Sequence, residues 1–239
     1  MTSFDGEFPQ EGLLGMPSPF VSEAKNVALQ MMTGFPIKAV SFYYHGIYGV
    51  DNRYASGFTG EVTFGELTPS RYNTEVGFLW LDLLESNHWK VRLSEFSAEI
   101  SAEGSRLELN LNFPLGDVNT AIFDTGCSDI ALPTAIYDNF MAHFKGFKTI
   151  PAYPGRVSIP CKDVLSTFVG AFHFELDGHV FVIPFEHIFQ PLPPTFQECM
   201  LLLIKTTARD VVLGTAFHRG SYISYSYTRR QVGIALGTY

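Results

Sequence analysis

Ala121-Ile-Phe-Asp124-Thr125-Gly126-Cys127-Ser128-Asp-Ile130-Ala-Leu132-Pro133 is the stretch on which the reading of this chain turns. An apolar run of strand length ends in a carboxylate, small hydroxyl-bearing residues form a turn, and a second apolar run leads to a helix signal. That helix is predicted over Ala135–Phe144, with Thr134 as its N-cap and Ile136, Phe140 and Phe144 at a spacing of four. Such a turn can set one carboxyl group on the floor of a groove, with the Gly126 amide and the Ser128 hydroxyl donating to its two oxygens. Taken alone, Asp-Thr-Gly also describes any aspartate that opens a turn before glycine, so the surrounding chain must decide.

Outward from this loop the signals are mostly those of strands. Ala39-Val-Ser-Phe-Tyr-Tyr44, Glu61-Val-Thr-Phe64, Phe78-Leu-Trp-Leu81, Lys90-Val-Arg-Leu93 and Leu107-Glu-Leu-Asn-Leu111 precede it, the last with strict alternation. Ala171–Leu176 and His179–Ile183 flank Asp177-Gly178, a two-residue signal for a hairpin with a type I′ turn. Val211–Leu213, Tyr222–Tyr225 and Gln231–Ala235 complete the strands. One more helix is predicted over Glu23–Met32, with Ser22 as N-cap and Gly34 as stop. No internal repeat or flexible linker breaks the chain, which reads as one mainly β unit, antiparallel and barrel- or sandwich-like, with a few short helices.

Composition agrees. With 239 residues, 46% hydrophobic and 17% charged, the chain can bury a sizeable core, and 14 Pro with 21 Gly favour many short elements. The 22 Phe exceed what a core of this size usually needs, which leaves some for a cleft or interface. Sixteen basic against 24 acidic residues give a net charge of −8, which repels polyphosphates, so nucleic acid is not an expected partner. No run approaches the roughly eighteen apolar residues of a membrane-spanning helix, so no membrane partner is expected either. Met1-Thr-Ser-Phe-Asp-Gly-Glu lacks a basic segment followed by an apolar run, so the default expectation is a cytoplasmic protein. Cys127, Cys161 and Cys199 have no metal-ligand spacing, and nothing calls for a cofactor or a metal.

In their order along the chain these motifs resemble the carboxy-terminal lobe of the pepsin-like aspartic peptidases, particularly the fungal branch. Glu11-Gly-Leu-Leu-Gly-Met16 is similar to the DGLLGL segment that ends the family's amino-terminal lobe, and Phe64-Gly-Glu-Leu-Thr-Pro-Ser-Arg-Tyr72 to the stretch that opens the second. Ala121–Ser128 with Leu132-Pro133 resembles the second catalytic loop, with Cys127 where threonine is usual. Val211-Val-Leu-Gly214, Tyr222-Ile-Ser-Tyr225 and Val232-Gly-Ile-Ala235 resemble the family's ending, with Thr215 where aspartate is usual. The resemblance covers Glu11 to Ala235. It implies a single pepsin-like lobe: residues 1–45 as a remnant of the amino-terminal lobe and interlobe strand, 46–239 as the carboxy-terminal-lobe-like domain, together one compact unit. It also implies Asp124 as the catalytic-type residue, supported by Thr125, Gly126 and Ser128.

The same resemblance pairs Cys161 with Cys199 as the second-lobe disulfide, whose closure is worth roughly 3 to 4 kcal/mol of chain entropy. In the cytoplasm both would stay reduced; a secreted chain whose targeting segment has been trimmed away would have them bonded. Peptide hydrolysis by this family needs two aspartates sharing a proton, and no second Asp-Thr-Gly or Asp-Ser-Gly occurs in the sequence. The chain therefore reads as a truncated aspartic-peptidase-like protein, for which three functions compete. In the first it is non-proteolytic and holds a small apolar molecule or a peptide in the remaining cleft, or uses Asp124 as a single acid or base in repurposed, cyclase-like biosynthetic chemistry. In the second, two copies pair across a twofold axis to make an acid endopeptidase from two Asp124 side chains. In the third it is a decoy that binds a protein partner.

Other constellations have plain readings. His173, His179 and His218, the last beside Arg219, read as surface hairpin or loop residues. Phe42-Tyr43-Tyr44 reads as an aromatic strand with one face in the core, although an aromatic ligand would suit it. Cys127 reads as a small filler, because a neighbouring carboxylate raises a thiol pKa. Ser70 and Ser128 have no histidine at the spacing of a nucleophile motif.

Overall fold

The structure, a computed structural model, describes residues 15–45, 59–65, 67–101, 108–143, 146–167, 169–192, 195 and 197–237. Glu11–Leu14 of the DGLLGL-like segment, Leu107 and Phe144 lie outside them. The fold is mainly β with short helices, as expected for a single pepsin-like lobe. One five-stranded antiparallel sheet has the order Thr59–Phe64, Ala39–His45, Ser221–Ser226, Gln231–Leu236, Leu79–Asp82. An eight-stranded sheet runs His179–Pro184, Val169–Leu176, Lys90–Ser101, Thr120–Phe123, Val211–Leu213, Ile130–Pro133, Leu203–Thr206, with Glu108–Asn112 also paired to Lys90–Ser101. A four-stranded sheet joins Phe189–Pro191, Glu198–Leu201, Val157–Pro160 and Lys148–Thr149.

The eight-stranded sheet is mixed rather than antiparallel throughout. Val211–Leu213 lies parallel to Thr120–Phe123 and antiparallel to Ile130–Pro133, which is itself parallel to Leu203–Thr206. These strands are only three or four residues long, and Ile130–Pro133 is buried at every position. Without a wet face there is no alternation from which to read orientation. The hairpin at Asp177-Gly178 is as its residues predict: both have positive φ, 48° and 80°, and Leu176 faces His179 across the turn.

Two helices differ from their sequence reading at the amino end. The segment Glu23–Met32 is a 3-10 turn, Glu23–Lys25, and a short α-helix, Val27–Met31. They are separated because Asn26 is extended and its side chain accepts from the Leu29 amide, so Asn26 rather than Ser22 is the working cap. The later helix spans Thr134–Ala142, and the Thr134 hydroxyl donates to the Thr206 carbonyl instead of capping it. Its buried face, Ile136, Tyr137 and Phe140, meets a phenylalanine cluster in which Phe96, Phe172, Phe174 and Phe185 are all essentially inaccessible. Each such ring contributes about 2 to 3 kcal/mol by leaving water, so these phenylalanines serve the core rather than a cleft. Cys161 and Cys199 are bonded, with Cα atoms 4.8 Å apart, and tie the start of helix Cys161–Thr167 to strand Glu198–Leu201.

Candidate functional site

Strand Thr120–Phe123 buries Ala121 and Phe123 and delivers Asp124 at its end. The Asp124 amide donates to the Leu213 carbonyl at 3.1 Å, and the Cys127 amide donates back to the Asp124 carbonyl at 3.2 Å, closing the turn. The rest of the loop is clamped by the chain after Leu213. Thr215 N donates to the Cys127 carbonyl (2.7 Å), Ala216 N to that of Ser128 (3.2 Å) and Gly214 N to that of Asp129 (3.1 Å). This crossing requires glycine at 214, since a Cβ there would lie 2.2 Å from the Asp129 oxygen and 2.4 Å from that of Cys127. Beneath the loop, Asp129 is 2% exposed and bound at both carboxylate oxygens by Arg156. Burial pushes the Asp129 carboxyl up while the Arg156 hydrogen bonds and charge pull it down.

Of the two donors expected on the Asp124 carboxylate, the structure provides one. Gly126 N donates to Oδ1 at 2.9 Å. Ser128 is exposed, its hydroxyl makes no such bond among the described residues, and its carbonyl is instead taken by Ala216 and the Thr215 hydroxyl. Asp124 itself is exposed to solvent and lines a cleft, together with Thr125 and Gly126. Cys127 is half-buried and its thiol donates to the Asp129 carbonyl. Burial raises its pKa most, with smaller contributions from Asp129 and Asp124, so it suits packing better than nucleophilic attack.

The cleft measures about 360 Å³, and its walls are Met16, Phe42, Trp89, Phe123, Tyr225 and Tyr227, with Asp124 the one carboxylate among the described lining residues. Its aromatic wall is held in edge-to-face contact: Trp89 with Tyr225 (5.0 Å) and Tyr227 (4.9 Å), Phe42 with Tyr225 (5.6 Å). The polar ends of these rings are already engaged. Trp89 Nε1 donates to the Met16 carbonyl, the Tyr227 hydroxyl to that of Pro17, and the Tyr225 hydroxyl shares a hydrogen bond with His218 Nε2 at 3.2 Å.

His218 is not the surface residue that its neighbourhood in sequence suggests. It is fully buried between Phe123, Phe217 and Tyr44, whose ring stacks on it at 5.8 Å. Burial drives its pKa down to about 3, against a weaker pull upward from the Gly214 carbonyl, so the ring is neutral. Tyr44 is pushed up to about 12 and Tyr225 well above 10, in each case chiefly by burial, with the Asp124 charge adding to it. The aromatic strand therefore divides its residues: Tyr43 is buried, while Phe42 lines the cleft and Tyr44 lies beside it on His218. Trp89, Tyr225, Tyr227 and the Asp129–Arg156 pair were not legible as site residues. The spacing of two between Tyr225 and Tyr227, matching that of Phe42 and Tyr44, is the one sequence signal that they share a face.

No curated protein matches the chain. The family model described as eukaryotic aspartyl protease matches residues 2–237, nearly the full length and including the Asp124 loop. The ordered motifs, the mainly β lobe and that match agree: the chain belongs to the eukaryotic aspartyl protease family.

Proposed function

We propose that this member of the aspartyl protease family binds a small apolar molecule or peptide segment in the Asp124 cleft and that, by itself, it does not hydrolyse peptides. Asp124 is then the polar anchor of the bound molecule, or the single acid or base of a repurposed, cyclase-like reaction. The observation that carries this reading is an aromatic-walled cleft of about 360 Å³ with a single carboxylate among the described residues that line it. Activating water and polarising a carbonyl together takes two carboxyl groups that share a proton, and one carboxylate can do either task but not both. Departures from the family's pattern support the same reading: Cys127 and Thr215 replace the usual threonine and aspartate, and the Asp124 carboxylate has the Gly126 amide but not the Ser128 hydroxyl as a donor among the described residues. Acid, in which such a peptidase would operate, is also where the buried neutral His187 and His218 weaken this fold.

One observation favours the rival reading of a homodimeric acid endopeptidase, namely that Asp124, Gly126 and Ser128 are all exposed and open to a second copy. Mass in solution combined with casein digestion from acid to neutral pH, with and without a statine-type inhibitor, separates the two. A monomer with no cleavage at any pH is the expected result. Acid-dependent cleavage that is lost in Asp124→Ala and rises with the dimer fraction would sink the proposal and establish the peptidase.

A further inference from the structure

From the cleft's charge and its engaged polar groups, we infer that its occupant is a lipophilic organic cation, an amine or quaternary ammonium carrying aromatic or branched alkyl groups. This inference rests on the ligand-binding reading above and narrows it. Asp124 is the only charged residue among the described ones that line the cleft, and no ion pair or cationic hydrogen-bond partner is found for it among the described residues. Its Oδ1 accepts one backbone amide, and its Oδ2 has no donor among them. Among the described residues no neighbour balances or replaces this charge: burial keeps the Tyr44 and Tyr225 hydroxyls protonated and the His218 ring neutral.

The polar ends of the aromatic wall residues are likewise committed. Trp89 and Tyr227 donate to the carbonyls of Met16 and Pro17, and Tyr225 is bound to His218. A neutral apolar guest would strip water from the free carboxylate oxygen and return nothing, which costs more than its burial recovers unless it leaves that oxygen wet. An anion would meet the like charge of Asp124. A cation meets the free oxygen directly, while the aromatic walls, Phe42, Trp89, Tyr225 and Tyr227, suit its alkyl and aromatic groups, and aromatic rings as a class attract cations through their quadrupoles. The chain as a whole carries a net charge of −8, which favours a cation over an anion.

The test uses probes of one shape and different charge: benzyltrimethylammonium, its neutral isostere neopentylbenzene, and phenylacetate as the anion. Trp89 reports binding by fluorescence in a Trp80→Phe background, Trp80 being the other of the 2 tryptophans and packed instead on Phe78 and Gly233. The cation is expected to bind at least about tenfold more tightly than the neutral isostere, a preference that falls as salt rises. In Asp124→Asn that preference should fall to near one, with the neutral probe binding as well as before or better. Equal or tighter binding of the neutral probe or the anion, or a cation preference untouched by Asp124→Asn, overturns the inference and leaves ligand binding standing. Failure of all three probes to bind overturns the ligand-binding reading itself, and this inference with it.

Discussion

Acid should destabilise this fold well before its carboxylates titrate, and the cause is two buried histidines. His218 is fully inaccessible and His187 is 8% exposed. Burial lowers His218 from 6.5 to about 3, and burial with the nearby Arg219 charge lowers His187 from 6.5 to about 4. Both folded values lie below the unfolded one, so between them the unfolded chain binds more protons. Stability is therefore whole above pH 6.5 and falls as pH drops toward the folded values. At about pH 5 each ring withdraws about 2 kcal/mol, or about 4 kcal/mol together, a large part of the roughly 5 to 15 kcal/mol of an ordinary domain. Glu61, whose carboxyl is held low by Arg71, adds its own loss only below its ordinary 4.5, and Asp129, raised from 3.8, acts in the opposite sense. Urea unfolding with the Cys161–Cys199 bond intact, followed from neutral pH to about pH 5, measures the slope. The paired variant His218→Leu/Tyr225→Phe removes one ring without orphaning its hydrogen-bond partner and should roughly halve the slope. A wild-type stability that is flat or rising toward acid, or a slope unchanged in the variant, would refute the reasoning.

What the sequence disclosed and what it hid follow from how far each residue's environment is local. The hairpin at Asp177-Gly178 and the strand leading to Asp124 depend on neighbours a few positions away, and both are where their residues place them. The parallel crossing of Thr120–Phe123 with Val211–Leu213 joins segments far apart in the chain through strands too short and too buried to show a pattern. The clamp on the Asp124 loop is backbone to backbone, so the only residue that records it is Gly214. His218 misleads because its segment, beside Arg219 and Gly220, has a loop's composition, whereas the turn Thr215–His218 is packed under the eight-stranded sheet's phenylalanines. The cleft is the least legible part. It is assembled from residues at 16, 42, 89, 123 and 225, which lie far apart in the chain, and none of which is unusual in its own segment.

Three further perturbations test the architecture around Asp124. Replacing both Cys161 and Cys199 by alanine should cost about 3 to 4 kcal/mol in urea unfolding, from the released loop closure; an unchanged midpoint would mean that the bond constrains nothing. Gly214→Ala should lose well over 4 kcal/mol or fail to fold, because its Cβ would sit 2.2 Å from the Asp129 oxygen. A thermal melt near wild type would show that the crossing is looser than described. Asp129→Asn tests the support beneath the Asp124 loop. The Asp129 side chain is 3% exposed and Arg156 24%, and the guanidinium meets both carboxylate oxygens, tying the turn before Val157–Pro160 to the residue after Ser128. Removing the negative charge leaves a partly buried guanidinium without its counterion, which should cost about 3 kcal/mol. Because the loss comes from the stranded partner, the double variant Asp129→Leu/Arg156→Met should recover much of it, and the two single effects should not add. Additive effects in a double-mutant cycle built on Asp129→Leu and Arg156→Met would mean that the pair is not a coupled unit and that the loop is held by its backbone clamp alone.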